Sequence, residues 1–167
     1  MYQKIFNALG EEYLEIKKLF LNKELILAYE KLNEYEKTKK NKNYIYFLKA
    51  LIWIIQKKNK KSLEYFEKIK YEDIKLLIGK DEYLEILGTI YLEEKKYLEA
   101  AKYLQEALTI NKTNINAKFN LGIIYIHLKD YKNAYKTFLE LEKYNIKNNE
   151  LKESIKKNII TLEKVMN

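Results

Sequence analysis

Six pairs of residues in this sequence recur at a single spacing of 34: Leu87 and Leu121, Gly88 and Gly122, Ile90 and Ile124, Tyr91 and Tyr125, Tyr97 and Tyr131, Ala100 and Ala134. One offset shared by so many positions marks an internal repeat, and a period of about 20–50 residues is the signature of a solenoid or array. The chain of 167 residues has no proline and only four glycines. Little in it interrupts helix, so the chain reads as mainly helical. One helical hairpin cannot bury its own apolar face. Stacked neighbours can, and the core then runs from repeat to repeat.

Composition removes whole classes of chemistry. There is no cysteine, hence no disulfide framework, thiolate nucleophile, Cys-ligated zinc or iron–sulfur cluster. His127 is the only histidine, so a His-rich metal site cannot form within one chain, and a Ser-His-Asp site would have to use that residue. A carboxylate-only metal site would need closely converging oxygen ligands. The expectation is no cofactor and no catalysis. The longest apolar run, Ala50 to Ile55, is far short of the roughly 18 residues of a membrane span. The start, Met1-Tyr2-Gln3-Lys4, has no signal-peptide apolar region, so the expected location is cytoplasmic. Hydrophobic residues make up 47% and charged residues 34%, which suits one folded domain over 1–167.

The net charge is +8, carried by 32 lysines and no arginine. Attraction to nucleic acid is one reading of such a charge. Against it, dedicated phosphate sites favour the bidentate arginine fork. Lys, Asn, Ile and Tyr are abundant together, which fits drift towards AT-rich codons. Nucleic acid is therefore disfavoured as the partner. The cluster Lys57, Lys58, Lys60 and Lys61 could contact phosphates, but reads better as a solvated turn between helices.

The repeat resembles the tetratricopeptide repeat (TPR) family, whose 34-residue helix–turn–helix pattern is W-x2-L-G-x2-Y, then A-x3-F. Residues 81–114 match at Leu84, Leu87, Gly88, Tyr91, Ala100, Leu104 and Ala107. Residues 115–148 match at Leu121, Gly122, Tyr125, Ala134 and Phe138. Lys112 and Ile146 stand where the motif has its late proline. Residues 43–76 match at Tyr46, Ala50, Trp53, Ser62 and Phe66, and residues 9–42 at Leu19, Ala28 and Leu32. The resemblance implies an all-α, right-handed α-solenoid of about four TPR-like helical hairpins plus a C-terminal capping helix at 149–166. The cap would bury Leu151, Ile155, Ile159, Leu162 and Met166 at helical spacing. Helices are expected near 2–20, 23–38, 43–58, 60–70, 81–94, 97–110, 115–128, 131–144 and 149–165. Residues 77–80 are an insertion, with Gly79 as a C-cap and Asp81 as the next N-cap.

In the family the first helices of the repeats line a concave groove that binds peptides, with repeat positions 2, 5, 9, 12 and 13 facing it. What the resemblance implies here is a groove drawn from Tyr13, Lys17, Phe20, Leu21, Tyr44, Phe47, Leu51, Ile54 and Ile55 in the first two repeats. The third adds Glu82, Glu85, Thr89, Leu92 and Glu93, and the fourth Asn116, Phe119, Ile123, Ile126 and His127. So large an exposed apolar surface usually marks a partner site. Its alternative is closer packing that buries some of these residues against neighbouring helices. The third repeat is acidic, and Glu82, Glu85 and Glu93 would favour a basic ligand residue. No repeat supplies the Lys/Asn pair of the family's carboxylate clamp, because positions 5 and 9 read Tyr13/Lys17, Phe47/Leu51, Glu85/Thr89 and Phe119/Ile123.

The expected function is a non-enzymatic adaptor that binds a protein or peptide segment, apolar with basic residues, in this groove. The alternatives are a nucleic-acid-associated protein and a self-assembling scaffold, a homo-oligomer among them.

Overall fold

The computed structural model describes residues 2–38 and 42–166. The end of the first repeat, residues 39–41, and the two terminal residues of the expected domain lie outside the described residues. Among those described there are eleven α-helices and no strand. The fold is all-α and built of helical hairpins, in two compact units, Met1–Lys80 and Asp81–Asn167.

The first unit holds α1 (Tyr2–Ala8), a 3-10 turn at Glu11–Tyr13, α2 (Leu14–Leu21), α3 (Leu25–Thr38), α4 (Lys42–Ile55), α5 (Asn59–Phe66) and α6 (Tyr71–Ile74). One helix was expected over 2–20, but the chain breaks at Gly10, whose backbone is extended (φ −64°, ψ 168°). α1 is thereby a separate helix whose Phe6 ring meets Phe20 edge-on at 5.0 Å. The insertion after α6 is structural, with Leu77 and Ile78 buried. Gly79 is not the expected left-handed cap, since no described glycine has positive φ. α7 instead starts at Lys80. Asp81 accepts hydrogen bonds from the side-chain amides of Asn111 (2.8 Å) and Asn114 (3.5 Å) rather than capping.

The second unit holds α7 (Lys80–Glu93), whose first residue precedes the boundary, α8 (Tyr97–Ile110), α9 (Ile115–His127), α10 (Tyr131–Glu142) and α11 (Asn149–Met166). Close approach within its hairpins rests on two glycines. A Cβ on Gly88 would lie 2.6 Å from Leu104 Cγ, and one on Gly122 2.8 Å from Phe138 Cζ. In the first unit Ser62 fills the small-residue place on α5, buried and donating its hydroxyl to the Ala50 carbonyl at 3.1 Å. α11 caps the second unit by burying Ile155, Ile159 and Leu162. Met166, expected on the same stripe, is exposed at the helix end.

The four hairpins share one turn that no motif residue announces. Lys23, Lys57, Lys95 and Lys129 all adopt φ between 56° and 63°. Each occupies the fifteenth position of its repeat, which places even the faint first repeat in register. After each lysine the next amide reaches back five residues, as from Asp130 to Tyr125 O at 2.8 Å and Glu24 to Leu19 O at 2.9 Å. This is a Schellman helix end, where glycine is the usual residue. A lysine there bears a left-handed backbone cost of about 1–2 kcal/mol. Glycine removes it but gives up about 0.5–1 kcal/mol in the unfolded chain. Lys129→Gly is therefore expected to stabilise the chain by about 0.5–1 kcal/mol, and Lys129→Val to destabilise it. Urea midpoints of the two variants check this, and a lower midpoint for glycine contradicts it.

Candidate functional site

The groove residues expected from the sequence divide sharply by burial. In the first unit Phe47 is 0% and Leu51 1% exposed. Phe47 packs its ring against Phe66 at 6.1 Å. Tyr13 is buried too, edge-on to Tyr35 at 5.9 Å, and its hydroxyl is pushed up to about 12 by burial and then by the Glu12 charge. These three side chains are core, with no surface left for a ligand. Packing has taken the aromatic and aliphatic side chains that pattern alone assigns to a groove, because burying them gains more than leaving them in water. Tyr44, Ile54 and Lys17 are half-buried, and Lys17 Nζ reaches Asn7 Oδ1 on α1 at 3.5 Å. Phe20 is buried, whereas Leu21 and Ile55 are exposed.

In the second unit more of the expected residues retain surface. Glu82, Thr89, Leu92, Phe119, Ile123 and Ile126 are half-buried, and Glu93, Asn116 and His127 are exposed. The His127 ring stacks on Tyr97 at 4.6 Å with 11° between the planes. Phe119 meets Phe138 edge-on at 5.6 Å, so one side of its ring is committed to the core.

Between α7 and α9 runs a polar ladder. Glu85 and Thr89 lie one turn apart on α7, and Asn116 and Asn120 one turn apart on α9. Residues four apart share a helix face, and both rungs of the ladder span 31 residues. Asn120 Nδ2 donates to Thr89 Oγ1 at 2.8 Å. Thr89 Oγ1 donates to the Glu85 carbonyl at 2.9 Å and approaches Glu85 Oε1 at 3.4 Å. Asn116 supplies a hydrogen bond to the Glu85 carboxyl. Sequence reasoning missed Asn120, although its i,i+4 spacing from Asn116 matches that of Glu85 and Thr89.

Glu85 is the unusual member, 8% exposed with no lysine bonded to it among the described residues. Burial raises its pKa. The charges of Glu82 and Asp81 push in the same direction, while the Thr89 and Asn116 hydrogen bonds oppose it. A carboxyl whose pKa is raised on folding stabilises below its unfolded value, and the benefit is lost as pH rises through the folded value. Glu85→Gln is thus expected to raise the melting temperature at pH 7.5 and to lose that advantage as the pH approaches 4. Thermal unfolding at both pH values checks it, and an equal shift at both contradicts it.

Among the described residues no cluster of three or more His, Cys, Asp or Glu could hold a metal ion, and no helix is long and apolar enough to cross a membrane. What the ladder offers is hydrogen bonding and negative charge beside the partly exposed apolar groups of Phe119 and Ile123.

Residues 91–153 match the family model described as tetratricopeptide repeat. No curated protein matches the sequence. Among solved structures the chain is similar to the crystal structure of YrrB, a TPR protein with an unusual peptide-binding site. The TM-score is 0.71 and the identity 16%, over 96% of this chain and 79% of that one. It is also similar to MamA (TM-score 0.64, 13% identity, 89% of this chain and 92% of that one). The match to the APC/C hetero-tetramer Cut9–Hcn1 has a TM-score of 0.66 and 14% identity, over 90% of this chain and 29% of that one. At these identities the likeness is one of fold.

Proposed function

From the premise that this is a tetratricopeptide-repeat chain, we propose that it is a non-enzymatic adaptor whose second unit binds a protein segment on the face shared by α7 and α9. The observation that carries this reading is Glu85, a buried carboxyl without a bonded cation, set among Thr89, Asn116 and Asn120. Side-chain amides and hydroxyls in such a row can pair with the backbone of an extended peptide. A lysine or arginine of the ligand reaching Glu85 would favour its charged form, and Glu82 and Glu93 extend the negative field. Phe119 and Ile123 supply the apolar contact. The earlier anchors Phe47 and Leu51 have no part in it, since both are buried.

YrrB, as described, has an unusual peptide-binding site, and the same kind of ligand suits the present ladder. The reading is tested by fluorescence polarisation with two labelled peptides of equal apolar content, one carrying lysines and one glutamates. The lysine peptide is expected to bind at least about tenfold tighter, the equivalent of one modest charge contact. Glu85→Gln with Asn120→Leu should remove the preference. Equal binding of the two peptides, or a preference untouched by the double variant, contradicts the reading.

A further inference from the structure

The first unit carries a second surface of opposite charge at its hairpin turns. Phe6 and Phe20 form the floor of a cavity of about 400 Å³, completed by Leu21, Leu25, Ile55 and Lys23. A volume of this size lies within the usual range of ligand pockets, roughly 300–1,000 Å³. Its rim is open: Leu21 is 58% and Ile55 40% exposed. An adjoining hollow of about 260 Å³ shares Leu25 and is walled by Trp53 and Lys58, with Glu30 as its one acidic lining residue. Beside it Ile26 and Leu27 are exposed on α3.

The charge around this apolar hollow is unbalanced. The first unit has eighteen lysines against eleven acidic residues, which gives it +7 of the chain's +8. Lys23 sits on the rim, and Lys57, Lys58, Lys60 and Lys61 follow Ile55 and Gln56 in the chain. Among the described residues none of these five forms an ion pair with a carboxylate. Lys58 and Lys61 lie instead over the Trp53 ring, at 5.3 and 4.6 Å. Glu24, the nearest acid in sequence to Lys23, is engaged by the Asn22 amide at 2.9 Å. The turn geometry explains the placement. Lys23 and Lys57 are the left-handed helix ends, so the chain reverses at both, and Lys23 lines the first hollow and Lys58 the second.

We propose that this surface is a docking site for an acidic protein segment that inserts one large apolar side chain between Leu21 and Ile55. Charge complementarity selects the acidic partner: a basic one would meet Lys23, Lys58 and Lys61, none of which has a carboxylate partner among the described residues, and an acidic one would neutralise them. The concave shape selects an inserted side chain over a lipid surface, because a flat bilayer does not fill a recess between aromatic rings. The site is independent of the α7–α9 ladder and prefers the opposite charge.

The test is a display library of random short peptides selected on the whole chain, then screened against Ile55→Glu and Leu21→Glu. Both positions are exposed, so the variants keep their helicity, checked by circular dichroism. Peptides that lose at least tenfold in affinity to both variants should be net acidic and carry an aromatic or long aliphatic residue. Their binding should survive Glu85→Gln, which separates this site from the ladder. If the peptides lost to both variants are net basic, or if no selected peptide is sensitive to either, the proposal is overturned. It is equally overturned if the surface proves to bind phosphatidylserine vesicles, or a second copy of the chain by light scattering, and no acidic peptide.

Discussion

Phe138→Ala is expected to destabilise the chain by about 3–5 kcal/mol, the usual cost of emptying a fully buried phenylalanine site. Phe138 is completely buried within the cluster formed by Ala134, Leu141, Ile146, Ile155, Ile159 and Leu162. Its ring tip fills the space that a Cβ at Gly122 would occupy, and its edge meets Phe119 at 5.6 Å. Truncation therefore leaves a void bounded by three helices, α9, α10 and α11. The two with a backbone already in close contact cannot collapse much further. Phe138→Leu should cost less, because it leaves a smaller void. Urea unfolding of the intact chain is the check, and a loss under about 1 kcal/mol for alanine would mean that the helices close over the gap.

Glu36→Ala is expected to cost about 3–5 kcal/mol as well, by a different route. Lys49 is 2% exposed and its ammonium is hydrogen-bonded to the Glu36 carboxylate. The Tyr29 and Tyr65 rings lie 5.3 and 5.7 Å from the same ammonium, and their hydroxyls are bonded to each other at 2.6 Å. Removing Glu36 leaves a buried cation with aromatic faces as its main remaining support. Lys49→Met removes the cation and fills the same space, so it should be nearly neutral or stabilising. The pair of variants separates the need for charge from the need for volume. Equal losses in both would show that the side-chain stem, and not the ion pair, stabilises this part of the fold.

Glu36 also gives this pair a pH signature. Burial works against its charged form, but the hydrogen bond and charge of Lys49, with help from Tyr46, outweigh it and hold the pKa below the ordinary value. A lowered carboxyl contributes stability above its unfolded pKa, and that stability is lost as pH falls through the folded value. Acidification should thus weaken the first unit through Glu36 in wild type and have less effect in Lys49→Met.

Much of the fold was legible because repeat periodicity is a local property. The 34-residue offset, the small residues at Gly88, Gly122 and Ser62, and the helical stripe of Ile155, Ile159 and Leu162 all appear in the chain before any long-range contact is known. The candidate site was less legible. Position within a repeat says which way a residue points, but not how closely the next element approaches. Phe47 and Leu51 occupy groove positions by pattern and are core by packing. Glu85 occupies a groove position too, and is buried with only amides and hydroxyls as its partners. The turn lysines were read as a solvated charge run. Among them Lys57 has positive φ, as has Lys23 on the cavity rim, and no glycine announces that backbone in the sequence.

Composition and period alone make this chain helical, repeated and free of cysteine, hence of disulfide and thiolate chemistry, since neither requires tertiary information. Tertiary structure alone decided which apolar side chains remain open to a partner. Exposure depends on how near the neighbouring helices come, and that distance is set by the fit of many side chains at once.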